Sequence, residues 1–333
     1  MGLFDAAVKA TSGSPSFTVD QIADQTKADP LLILRIMRVL VGMRIFTEVG
    51  IKTYKMTPIA KAYVSSSPFK DIAIHLASHA PSPAQLPNYF LQHGYTSPTD
   101  TRNGPFQYAM RTEKQYFDWV ASQPRLQEAL NTVMAVNPGN VGQNWFEYYP
   151  VTERLRVKSS EDVILVDVGG NTGKDLASFR EKFPPSVLPG RAILQDQPFI
   201  IEKASCNHDQ SLIETMGHDF FTPQPVKGAK AYYLRLVIHD WPDRDALLIL
   251  RQIRDAMDDD SVLLLNESLV AEEGVSLYDA WMDMTMLALF SALNRTEAHF
   301  TALLEEAGFQ LVKVWRPSVV VPGSTSLFEA VKR

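Results

Sequence analysis

The pattern of apolar and polar positions changes character near residue 150. Beyond it, short apolar runs (VILVDV, RAILQD, AYYLRLVI, SVLLLNES) alternate with amphipathic segments (ASFREKFP, DALLILRQIRDAM, TALLEEAGF). Apolar strands alternating with helices predict a largely parallel sheet covered on both faces, an α/β architecture. The closing segments FQLVKVWRP and TSLFEAVKR read as a hairpin that completes the sheet. Before residue 150 the text is mostly helical. Thr18 can cap VDQIADQT, Asp29–Pro30 opens PLLILRIMRVLVG, and IFTEV and TYKMT alternate around Gly50, which together predict a winged-helix-like module. Residues from about 60 to 150 continue as helices broken by Pro and Gly. The expected division is therefore 1–150 and 151–333.

A winged helix invites a DNA-binding reading. The second helix, however, is dominated by Leu31, Leu32, Ile33, Leu34, Ile36, Met37, Val39 and Leu40, with only Arg35 and Arg38 as basic candidates. The net charge is −6, so no global attraction to phosphate backbones or anionic lipid is expected. A packing module and a small-molecule partner fit better. One cysteine, Cys206, excludes an intramolecular disulfide and argues against a cysteine zinc site, so no metal is expected. No run approaches the roughly 18 apolar residues of a membrane span, and MGLFDAAVKA lacks the layout of a secretory signal. A cytoplasmic protein is expected.

In VILVDVGGNTGKDLASF, Gly169, Gly170 and Gly173 lie between a strand and a helix, where small residues let a ligand approach the backbone. The spacing matches neither the dinucleotide fingerprint nor a P-loop. Asp167 would repel a pyrophosphate but suits a cationic cofactor, which points to S-adenosyl-L-methionine. Asp196, at the end of RAILQD, can accept both hydroxyls of a ribose. In GHDFFTP, Asp219 is a candidate for an adenine amino group and Phe220 for stacking on the ring.

His239, in YYLRLVIHDWPD, falls at the carboxyl end of the fourth strand, the edge where open α/β sheets gather their chemistry. Histidine is suited to taking a proton near neutral pH, and a neighbouring carboxylate can orient its ring. Glu267, at the end of the next strand, and Asp240 are the candidate neighbours. The spacing of Trp281, Met284, Leu287 and Phe290 suggests them as candidate pocket walls, and Phe117, Trp119, Met134, Trp145 and Phe146 are further candidates. For each of them the competing reading is ordinary core.

VDVGGNTG, ILQDQP, GHDFFTP, YYLRLVIHDWPD, LLLNES and RTEAHF, in this order, closely resemble the fungal and plant S-adenosylmethionine-dependent O-methyltransferases of the caffeate type, over essentially the whole chain. The resemblance implies a class I methyltransferase, Rossmann-like doubly wound sheet. It also implies an N-terminal winged-helix-like domain serving dimerisation and as a substrate lid, and hence a homodimer. Gly169, Asp196, Asp219, Phe220 and Arg235 carry over as cofactor contacts, His239 as the base and Glu267 as its orienting carboxylate. Two departures stand out. Asn294 occupies the place of a second glutamate that flanks the histidine, and the chain begins at GLFDA, where the family has further helical sequence. Some fungal relatives retain the cofactor yet catalyse dehydration or pericyclic rearrangement, and Asn294 with the histidine pair His75 and His79 keeps that alternative open.

Overall fold

The computed structural model describes residues 1–136, 143–204, 212–321 and 323–333. It divides into two compact units, 1–78 with 124–133, and 79–123 with 134–333. Cys206 lies outside the described residues. Among the described residues no helix is long and apolar enough to cross a membrane.

The first unit follows its local signals closely. Strand β1 (Phe17–Thr18) leads into a helix over Val19–Thr26, a second helix spans Pro30–Gly42, and β2 (Phe46–Gly50) and β3 (Thr53–Met56) form the hairpin, in the order β1-β3-β2. Thr18 and Gln21 complete a reciprocal capping box, and the Asp29 carboxylate accepts from the Leu31 amide at 2.8 Å. Phe17, Ile22, Ile33, Met37, Phe46 and Tyr54 build the core. The second helix buries only one stripe. Leu31, Leu32 and Val39 remain 59%, 43% and 62% exposed, because a period of 3.6 residues turns an all-apolar helix partly away from any single core.

The second unit carries a mixed seven-stranded sheet. Its strands are β4 (Val163–Val168), β5 (Arg191–Asp196), β6 (Glu214–Gly217), β7 (Ala231–Arg235), β8 (Val262–Ser268), β9 (Phe309–Trp315) and β10 (Thr325–Lys332). They run in the order β6-β5-β4-β7-β8-β10-β9, parallel except for β10, which pairs antiparallel with both β8 and β9. The chain winds outward from β4 to β6 and then returns to the other side of β4 at β7. That reversal opens a crevice at the carboxyl ends of β4 and β7, where such sheets bind ligands. Val166, Tyr232, Leu234, Ile249, Leu263 and Phe300 pack one face, and Leu165, Phe179, Leu194, Tyr233 and Leu264 the other. Each fully buried ring or branched chain contributes roughly 1.5–3 kcal/mol.

Trp145 and Phe146 follow the core reading: both are buried, and Trp145 stacks on Phe179 at 5.5 Å and on Tyr233 at 5.0 Å. One expectation changes at this level. The strand predicted to run through Val237 and Ile238 stops at Arg235. Leu236 turns to φ 51°, and residues Ile238–Asp240 form a single 3-10 turn. The cause is a side chain of the neighbouring strand. Glu267 takes the Val237 and Ile238 amides, at 3.1 and 2.8 Å, in place of a backbone partner.

Candidate functional site

The glycine turn is built by contacts that leave no room for side chains. The amides of Gly169 and Gly170 both donate to the Gln195 carbonyl of β5, at 2.8 and 3.1 Å, which folds the chain back over the sheet edge. Gly169 has φ +74°, and a methyl on Gly170 would lie 2.4 Å from Asp167 Oδ2 and 2.5 Å from Leu194 Cδ1. Both obstacles are themselves enclosed. Gly170→Ala is therefore expected to lower stability by about 1–3 kcal/mol through overpacking and to weaken nucleoside binding. Thermal unfolding and calorimetry with S-adenosylhomocysteine check both effects.

Asp167 is 2% exposed, beneath this turn, and its Oδ2 accepts no hydrogen bond. Burial, then the nearby Asp175 and Asp196 carboxylates, push its carboxyl well above the usual range, against the pull of Arg235. A neighbouring cationic ligand group would favour the charged form. Asp196, at the tip of β5, accepts from the Asn171 amide at 2.8 Å and from the Gln197 amide at 2.7 Å. It thereby ties the glycine turn to the strand end, and each oxygen keeps a further lone pair. Asp219 follows β6 and accepts from the Phe221 amide at 3.1 Å. Phe220 stands over Gly169, with Cε1 3.6 Å from where a Cβ would be. Arg235 pairs with Asp175 at 2.9 Å, in the first turn of the helix Lys174–Lys182. Tyr233 donates to the other Asp175 oxygen at 3.0 Å, which ties β7 to that helix.

His239 sits on the turn beyond β7, and Val237, two residues earlier, packs against Gly169, with Cγ2 3.0 Å from that position's missing Cβ. Asn294 Oδ1 lies 3.3 Å from His239 Nδ1. An amide oxygen can only accept, so this contact assigns the proton to Nδ1 and leaves the Nε2 lone pair available. Asp240 Oδ1 is 3.5 Å from Nε2, beyond a strong hydrogen bond but within reach of a charge. Glu267 bonds the backbone of the turn rather than the imidazole, and its Oε2 is buried without a partner. Burial raises its carboxyl, and the nearby His239 opposes the rise.

Burial also pushes the Asp240 carboxyl up to about 8. Folding therefore retains a proton that the unfolded chain releases near 3.8, so stability is lost as pH rises from that value through about 8. Asp167 and Glu267 are shifted in the same direction. Asp240→Asn is expected to flatten the fall in unfolding free energy between about pH 5 and pH 8 by up to about 1.4 kcal/mol per pH unit. Urea titrations across that range check it.

The candidate wall residues part company. Phe290 is buried, its ring 4.7 Å from Tyr116 and 5.3 Å from Phe117; Phe117 in turn lies 6.3 Å from Trp241, which meets Phe220 at 5.9 Å. A continuous aromatic wall thus runs from the glycine turn past the His239 turn. Trp281 and Met284 lie on the same helix, Leu277–Phe290, but are 62% and 42% exposed and take no part in it. That helix buries its last turn, not its first. Trp119 packs on Phe106 at 5.4 Å, Met134 is exposed, and His79 is buried at the end of the helix Pro68–His79. Sequence reasoning missed Tyr116, Asp175, Asp283 and Arg295. Asp283 accepts from the Asn294 amide at 2.8 Å, and Arg295 bonds the carbonyls on both sides of His239 and Asp240.

The comparisons with known proteins agree with this architecture. A model of the O-methyltransferase domain matches residues 107–310, and one of the O-methyltransferase dimerisation domain matches residues 1–66. Demethylsterigmatocystin 6-O-methyltransferase of Aspergillus parasiticus is 32% identical, over 89% of this chain and 75% of its own length. The solved structure of OxaC in complex with SAH and oxaline is similar at 31% identity and TM-score 0.86, over 100% of this chain and 82% of that one. A structure described as a pericyclic reaction enzyme is similar at 27% identity and TM-score 0.85, over 100% of this chain and 84% of that one. With the doubly wound sheet, its glycine turn and the matched length taken together, the chain belongs to the O-methyltransferase family.

Proposed function

We propose that this protein transfers a methyl group from S-adenosyl-L-methionine to a hydroxyl of a small aromatic or polyketide-type metabolite, with His239 as general base. The observation that carries the reading is the packing of Val237 on Gly169, which sets the His239 turn directly against the glycine turn. The residues fit the cofactor. Asp167 offers a buried, unpartnered oxygen to a cationic group, Asp196 stands at the strand end with lone pairs to spare, and Phe220 presents a ring above Gly169. Gly173, at φ +77°, lets the helix after the turn begin without crowding the ligand.

When bound, the cofactor supplies an electrophilic methyl on a positively charged sulfur. The protein's share is alignment and proton removal. The aromatic wall of Phe290, Phe117 and Trp241 holds a planar acceptor and excludes water, while Asn294 fixes the imidazole with Nε2 free. His239 Nε2, left free by the Asn294 contact, would take the acceptor's hydroxyl proton as the methyl leaves the cofactor's sulfur for the acceptor oxygen. Asp240 Oδ1, 3.5 Å from Nε2, lies within reach of the charge that would develop on the ring. Arg235 and Asp175 brace β7 against the helix that follows the glycine turn. Within the same proposal, residues 1–150 serve dimerisation and as a lid and 151–333 catalysis, with the dimerisation match over 1–66 in support of a homodimer.

A second reading keeps the cofactor but rearranges or dehydrates the substrate without methyl transfer. It is favoured by the neutral Asn294 beside His239 and by the structural similarity to a pericyclic reaction enzyme. Incubation with methyl-labelled S-adenosylmethionine and a panel of phenols, enols and pyridones separates the two. Label in the product supports methyl transfer; conversion of an alkaloid precursor without label would replace it with the second reading.

A further inference from the structure

The turn that carries His239 leaves its backbone poorly provided for, and the structure supplies it from two sides. Leu236 stands at φ 51°, a strained conformation for a branched side chain that persists only where surrounding contacts impose it. On the amide side, Glu267 accepts from Val237 and Ile238. On the carbonyl side stands Arg295, fully buried, whose Nη1 donates to the Ile238 carbonyl at 2.8 Å and Nη2 to the Trp241 carbonyl at 2.7 Å. Those two carbonyls bracket His239 and Asp240. The guanidinium is gripped from its outer edge by Asp243, at 2.9 Å from Nε and 2.7 Å from Nη2, and Asp243 is held in turn by His299 Nε2 at 2.9 Å.

A buried arginine is an expensive way to fill space, since an apolar side chain of similar volume is often neutral or more stable in such a place. Its planar fork is what packing alone does not replace. Two donors at fixed separation match two carbonyls a fixed number of residues apart, and a flexible ammonium cannot reproduce that geometry. With both carbonyls drawn toward Arg295, the turn between them has one arrangement, and Asn294, adjacent in the chain, arrives at His239 Nδ1 from the same segment.

We propose that Arg295 is a positioning residue for His239: by bonding the Ile238 and Trp241 carbonyls it fixes the turn so that Nδ1 meets Asn294 and Nε2 faces the acceptor. The proposal deepens the methyltransferase reading and rests on it. Arg295 is fully buried and its bonds go to Asp243 and the turn carbonyls, so its loss is expected in the chemical step and not in nucleoside binding.

The test compares Arg295→Lys with the parent protein by two routes. Nitrogen-labelled histidine NMR reports the tautomer of His239 in the free protein, with no need for turnover. The expected result is a single Nδ1–H tautomer in the parent and a mixed or broadened signal in Arg295→Lys. Alongside it, kcat for a labelled acceptor falls by at least about tenfold, with the affinity for S-adenosylhomocysteine within about threefold. An unchanged His239 signal with unchanged kcat overturns the proposal and leaves the methyltransferase reading standing. Absence of methyl transfer in the parent, with the tautomer shift still present, overturns that reading instead and leaves the positioning role. If Arg295→Lys does not fold, Asp243→Asn, which loosens the guanidinium from its exposed edge, is read in the same way, and a parental signal there likewise overturns it.

Discussion

Replacing His239 by alanine is expected to lower kcat for methyl transfer by about 10²–10⁴-fold while leaving the affinity for S-adenosylhomocysteine within about threefold. The size follows from the role. A general base contributes that much when its lone pair is aimed at the proton in the transition state, and little of it survives when water must take the proton instead. The selectivity follows from the geometry, because His239 bonds Asn294 and lies beside Asp240, whereas Asp196 and the glycine turn are organised by bonds to Asn171, Gln197 and Gln195. Single-turnover kinetics and calorimetry on the same preparation separate the two quantities. A variant that kept its rate would move catalysis onto alignment alone, and one that lost its nucleoside affinity would make His239 part of the binding site rather than the base.

The elements of this fold were legible because local and global preferences agree. Apolar runs such as VILVDV and SVLLLNES became β4 and β8, and Thr18 and Asp29 capped the helices they preface. The sequence failed where a side chain overrides the backbone's own preference. LRLVI has the composition of a continuous strand, but the Glu267 carboxylate, contributed from another strand, ends it at Arg235 and makes the turn that carries His239. Arg295 was invisible for a related reason. Its partners are backbone carbonyls, which carry no sequence signature, so RTEAHF carries the resemblance without assigning this arginine a role. Trp281 and Met284 precede Phe290 at steps of three, and on a helix of about 3.6 residues per turn such steps drift round the axis, so that Trp281 stands on the face opposite Phe290.

Asp196→Ala is expected to weaken S-adenosylhomocysteine binding by about 10²–10³-fold, and Asp196→Asn by roughly tenfold. Two contributions would combine in the carboxylate. In the proposed complex, hydrogen bonds from ribose hydroxyls to the charged oxygens would each be worth about 1.5–3 kcal/mol. Toward the protein, the same two oxygens hold the Asn171 and Gln197 amides, at 2.8 and 2.7 Å, and so keep the glycine turn against β5. Alanine removes both and releases the Asn171 amide from β5. Asparagine still accepts from one amide through its carbonyl oxygen, but its nitrogen faces a donor where an acceptor is required. The burial that raises the Asp196 carboxyl above its usual range adds a pH signature, since the bonds from Gln197 and Asn171 only partly oppose it. Nucleoside affinity in the parent is therefore expected to fall on acidification at a higher pH than an exposed aspartate would show, and that dependence disappears in Asp196→Asn. Equal affinities for parent and alanine variant across that range would place the ribose elsewhere and remove the main ligand-side role assigned to β5.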